Sequence, residues 1–136
     1  MKHDAGSTKK VLDLAEESLK LLNAYSPGES SELLFMRVWR SYYKLEMAIG
    51  LAKFSHDDFR IGTLRPVRFS SKKDITKMSP DKLLAIFQSI SSRIRKSEEN
   101  FRAEEFSTAI ETAREARDEL KILVGSYSGD RHKKIR

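Results

Sequence analysis

Apolar residues recur three and four positions apart along four stretches of the chain, the spacing that lines one face of an α-helix. In the first stretch, about Thr8 to Tyr25, the stripe is Val11, Ala15, Ser18, Leu22 and Tyr25, widened by Leu12, Leu14, Leu19 and Leu21. Asp13, Glu16, Glu17 and Lys20 fill the other side. Ser26-Pro27-Gly28 ends the pattern, because proline disfavours helix in the residue before it and glycine turns the chain readily. The second stretch begins at Ser30 or Ser31, either of which can serve as N-cap, and runs to about Phe54.

The third helix has the best-marked start. Ser79 can accept from free backbone amides, Pro80 has no amide to satisfy, and Asp81 suits the positive end of the helix dipole. Leu83, Phe87, Ile90, Ile94 and Phe101 form its seam. The fourth covers about Ala103 to Val124, with Gly125 placed to end it in a left-handed conformation. Its seam of Phe106, Ala109, Ala113, Ala116, Leu120 and Leu123 is all alanine in the middle, which lets a neighbouring helix come close. A link of a few residues around Asn100 to Arg102 makes helices three and four antiparallel neighbours. The fold expected is all-α: an antiparallel four-helix bundle over residues 1–125, followed by a basic, flexible tail at 126–136.

Residues 55–78, SHDDFRIGTLRPVRFSSKKDITKM, break this regularity. Connections longer than about 12–15 residues are uncommon in compact domains and are usually functional or disordered. Phe59, Ile61, Val67 and Phe69 alternate with arginines, which suits a short β-hairpin, and Asp74 can cap one helical turn. Partial order is expected, since bulky apolar groups are costly to leave wet.

Within the second helix, FMRVWRSYYKLEM (Phe35 to Met47) concentrates aromatic and basic residues. On a wheel of about 100° per residue, Arg37, Arg40, Ser41 and Lys44 share one side while Phe35, Trp39, Tyr42 and Tyr43 cluster on the other. Beyond Leu45 the pattern rotates, and Met47, Ala48, Leu51 and Ala52 take the side that held the basic residues. A helix apolar nearly all round belongs in the centre of a bundle or at a subunit interface. Phe35, Trp39, Tyr42 and Tyr43 are therefore expected in the core or in a homodimer interface, not on a base-stacking platform.

Charge and composition narrow the function classes. The formal net charge is +6, and residues 55–78 and 126–136 carry +3 each, so the rest of the chain is balanced. Two basic appendages on a neutral scaffold suit a polyanionic partner. Arg60, Arg65, Arg68, Lys72 and Lys73 in the connection, with Arg131, Lys133, Lys134 and Arg136 at the C-terminus, are the candidate contacts to phosphates, and Phe59 or Phe69 is available to stack on an unpaired base. The chain has no cysteine, which excludes thiolate catalysis, cysteine-ligated metals and disulfides and fits a reducing cytosol. The polar start MKHDAGSTKK lacks the apolar run of a signal peptide, and nothing approaches a membrane span. A soluble cytoplasmic protein is expected.

Catalytic carriers are few. The three histidines are His3, His56 and His132, and His56-Asp57-Asp58 reads as a polar loop start. The Glu-x-x-His pairs of helical di-iron proteins do not occur. Ser70-Ser71-Lys72-Lys73 matches Ser-x-x-Lys without the companion motifs of the acyl-transfer enzymes that use it. No glycine-rich phosphate loop is present, and neither cofactor nor metal is implied.

RSYYKLEMAIGLAKF, Arg40 to Phe54, resembles the Ser-x-Tyr-Tyr helix of HEPN four-helix domains, some of which are ribonucleases. Those nucleases use an arginine followed four to six residues later by histidine, and this sequence has no such pair. The leading expectation is a non-enzymatic helical binding or scaffold module that self-associates. A nucleic-acid-binding protein using the connection and the tail comes second. A helical bundle with a small-molecule pocket, or an enzyme built on one, comes third.

Overall fold

The computed structural model describes residues 5–55 and 75–135, with side chains over 8–54, at Ile75 and over 77–125. It holds α1 (Ala5–Asn23), α2 (Ser31–Ser55), a single 3₁₀ turn (Ile75–Lys77), α3 (Pro80–Arg102) and α4 (Phe106–Ile135). No strand occurs among the described residues, and no helix among them is long and apolar enough to cross a membrane.

Local chemistry sets the boundaries. Pro27 and Gly28 occupy the middle of a turn closed by the Glu29 amide donating to the Ser26 carbonyl at 3.2 Å. Gly28 sits at φ +97°, a conformation that glycine reaches without steric cost. Of the two possible caps of α2, Ser30 is the one used: its hydroxyl accepts from the Leu33 amide at 3.1 Å. Ser79 caps α3 as expected, accepting from the Lys82 amide at 3.2 Å, with Pro80 in the first turn. The one-turn helix expected after Asp74 is the 3₁₀ turn.

Two expected boundaries are corrected. Asn100 to Arg102 remain helical, and the link to α4 is Ala103 to Glu105. There the Glu105 amide reaches back to the Asn100 carbonyl at 2.8 Å and the Glu104 amide to that of Phe101 at 3.0 Å. This is the paired hydrogen bonding of a Schellman stop, with Glu104 at φ 62° in the place glycine usually takes. Nor does Gly125 end α4, which continues to Ile135. A glycine inside a helix costs about 1 kcal/mol relative to alanine, which weakens the helix there without forbidding it.

Side-chain contacts give the wiring. Ser18 of α1 meets Ser41 of α2, and Glu17 meets Lys44, so these helices are antiparallel. Asn23 bonds Ser91 and Tyr25 stacks edge-on against Phe87 at 5.3 Å, while Glu16 lies against Glu98, so α1 and α3 also oppose. Ser97 donates to the Ala109 carbonyl and Arg93 pairs with Glu119 across α3 and α4. Glu46 bonds Arg117 while Ile49 shares a void with Ile110 across α2 and α4. The bundle therefore runs up, down, down, up, with α2 and α3 parallel on one diagonal. Ser55 and Ile75 consequently stand at opposite ends of the bundle. A connection bridging them must cover about 35 Å, the length of α2 at about 1.5 Å per residue. That span asks for about ten extended residues, so the wiring accounts for part of the connection's length.

Small residues set the closest approaches. Ser18 and Ser41 are both fully buried; their hydroxyls lie 2.7 Å apart, and each is within hydrogen-bonding distance of the other's backbone carbonyl, at 2.8 and 3.1 Å. The alanine seam of α4 is buried at Ala109, Ala113 and Ala116, as expected, and Ser97 reaches the Ala109 carbonyl at 2.7 Å. Around these contacts Leu19, Leu45, Ile90, Ile94, Ile110 and Leu120 fill the core.

Candidate interaction surface

The feature of the bundle that its own core does not account for lies on α2. Leu34, Val38, Ser41, Leu45, Ala48 and Ala52 are buried and point inward. Met36, Tyr43, Met47, Gly50 and Phe54 lie about 180° around the same helix, facing solvent, with Leu33 and Trp39 at the edges of the stripe. Phe54 is 74% exposed, Leu33 60% and Tyr43 52%; Met36, Trp39 and Met47 are about two-fifths exposed. A soluble helix normally presents charge on the side away from its core. This one presents a second apolar seam, with positions 33, 36, 40, 43, 47, 50 and 54 spaced alternately three and four apart.

The aromatic cluster is correspondingly split. Trp39 and Tyr43 stand outside the core, which corrects the core alternative for those two, while Phe35 and Tyr42 are half-buried. Trp39 lies against both tyrosines, with ring centroids at 5.7 Å from Tyr42 and 6.1 Å from Tyr43. Tyr42 turns toward α4, donating to Glu46 at 3.2 Å, and Glu46 in turn accepts from Arg117 at 2.5 Å. Burial, and then the Glu46 carboxylate, push the Tyr42 hydroxyl above its ordinary pKa.

The basic residues do not form one wet stripe either. Arg37 is held inward: its guanidinium clasps both oxygens of Glu29 and donates to the Leu21 carbonyl at 2.6 Å. It thus ties the α1–α2 turn to α2. Lys44 pairs with Glu17 at 2.9 Å, whereas Arg40 is exposed and has no ion pair among the described residues. Arg40 is the one charged residue within the outward seam.

Elsewhere the chemistry is sparse. Glu98, 3% exposed, faces Glu16 across α1 and α3. Burial raises its pKa to about 7, helped by the hydrogen bond and the charge of Glu16, while Arg102 and Arg95 pull the other way. Its Oε2 has no hydrogen-bond partner among the described residues. A hydrogen bond links the two carboxyl groups between helices; no group of three or more His, Cys, Asp or Glu side chains capable of holding a metal occurs among the described residues. The void of about 10 Å³ between Val11, Leu45, Phe101 and Ala113 holds at most one water.

Of the candidate anion-binding residues, Arg60, Arg65, Arg68, Lys72, Lys73 and Arg136 lie outside the described residues. Arg131, Lys133 and Lys134 are carried on the last turns of α4, where a flexible tail was expected. The outward seam is the surface that sequence reading missed as a unit. Its signal was the 3–4 spacing from Leu33 to Phe54. Arg40 interrupts that series, and a second 3–4 series on the inward face overlays it. No protein-family model, curated protein or solved structure matches this chain.

Proposed function

We propose that the protein is a non-enzymatic helical binding or scaffold module that works through the outward seam of α2. One observation carries this reading: a line of large apolar side chains, from Leu33 to Phe54, runs along α2 diametrically opposite its buried face. A fully exposed large side chain offers about 200 Å². At the exposures observed, Leu33, Met36, Trp39, Tyr43, Met47 and Phe54 together present on the order of 600 Å². The largest apolar patch on a typical monomer is about 300–600 Å² and is often functional. Leaving such an area wet on a helix otherwise well anchored by Ser41, Arg37 and Glu46 has no benefit to the isolated bundle.

Hydroxyl-radical footprinting at submicromolar protein tests the reading. Met36, Met47 and Trp39 are expected to oxidise as solvent-facing side chains, far faster than the enclosed Phe87 or Phe101. Protection of all three at that dilution would mean that the chain covers its own seam, and the reading would fail.

A further inference from the structure

We infer that the occupant of the seam is a second copy of this chain, its α2 packed antiparallel to the first about a two-fold axis that crosses the outward face level with residue 45. This rests on the reading of α2 as a docking surface and names its partner. The seam is self-complementary only in that direction. Six of its seven positions, all but Leu33, are symmetric about residue 45, so reversing one helix in that register sets Met36 against Phe54 of the partner subunit and Tyr43 against Met47 of the partner subunit. Both of these pairs join a methionine to an aromatic ring, a favourable contact for a polarisable thioether. In the parallel arrangement each residue meets its own copy, and Arg40 is brought against Arg40 of the partner subunit.

Antiparallel pairing instead places Arg40, with Trp39 beside it, against Gly50 of the partner subunit. Gly50 supports the same geometry from another side. It lies mid-helix, where glycine is disfavoured, and a Cβ added to it would meet nothing within 4 Å in its own chain. No contact within the bundle requires the missing side chain, whereas a helix crossing there, with an indole or a guanidinium to seat, does. The area agrees as well. A standard interface buries about 800 Å² per partner, and six seam side chains supply on the order of 600 Å² before their polar neighbours are included. An isologous dimer uses one patch twice, so no second surface is needed.

The chain has no cysteine, which makes cross-linking a direct test. Met36→Cys and Phe54→Cys proteins are made separately, mixed in equal amounts at micromolar concentration and oxidised gently. The expected product is the mixed 36–54 disulfide, several-fold above either self-linked product, and Tyr43→Glu introduced into both variants abolishes it. Predominance of 36–36 and 54–54 products would overturn the antiparallel geometry. Yields no higher than from Lys9→Cys, on an exposed turn of α1, would overturn the second copy as partner. Footprinting of the same samples on dilution separates the two levels of failure. A seam that oxidises freely but does not cross-link leaves α2 a docking surface with a different occupant. A seam protected at every dilution removes both the surface and its partner.

Discussion

Two single residues record how this chain departs from the cheapest solution. Glu104 occupies a left-handed position at the end of α3, which costs a non-glycine residue about 1–2 kcal/mol. Glu104→Gly is therefore expected to stabilise the protein by about 1 kcal/mol, read as a higher denaturation midpoint at unchanged slope. The second is Glu98, whose carboxyl is raised from 4.5 to about 7 by burial and by Glu16. The folded state thus holds this proton more tightly than the unfolded chain does. The stability it confers is complete below about pH 4.5 and is lost as pH rises through 7. Urea titrations across that window are expected to show a fall on the order of 2 kcal/mol, allowing for solvent screening. Glu98→Gln should flatten the slope, since a neutral amide can still donate to Glu16; an unchanged slope would assign the pH dependence to other groups. Neither residue was legible as a special position in the sequence. A Schellman stop without glycine and a carboxyl–carboxyl pair between helices both depend on where the backbone goes.

Among the elements, α2 is the one whose two faces decide the account. Leu45 and Met47 are two residues apart and point opposite ways, one fully buried and the other 42% exposed. Leu45→Ala is expected to cost about 2–5 kcal/mol, and Met47→Ala no more than about 0.5 kcal/mol at submicromolar protein. Gly50→Ala separates helix propensity from docking. In the dissociated chain the added methyl meets nothing, so stability should rise by about 1 kcal/mol; self-association should weaken several-fold. A variant that is more stable and associates unchanged would remove Gly50 from the interface. The existence of all four helices, the Ser79 cap and the alanine seam of α4 could be read from spacing and end chemistry. The two faces of α2 could not be separated that way, because Ser41 and Arg37 look like surface residues until α1 supplies the carbonyls, and the turn after it the Glu29 carboxylate, that satisfy them.

For the whole molecule, the informative property is the order in which the helices run. Periodicity shows that helices exist but not which ones neighbour each other, so an up-down-down-up arrangement and an up-down-up-down arrangement give the same sequence signal. The contacts of Asn23 with Ser91 and of Tyr25 with Phe87 decide between them. With α2 and α3 parallel, residues 56–74 are bracketed by opposite ends of the bundle, which accounts for part of their number. The weight of the functional reading moves from that segment to the outward seam of α2. Sedimentation equilibrium of the intact protein, alongside Tyr43→Glu, tests it most directly. Tyr43 is 52% exposed, so the variant is expected to fold normally. The wild type is expected to pass reversibly from monomer to dimer in the micromolar range, and Tyr43→Glu to remain monomeric throughout. A wild type that stays monomeric at the highest concentrations, or a dimer that Tyr43→Glu leaves intact, would contradict the account.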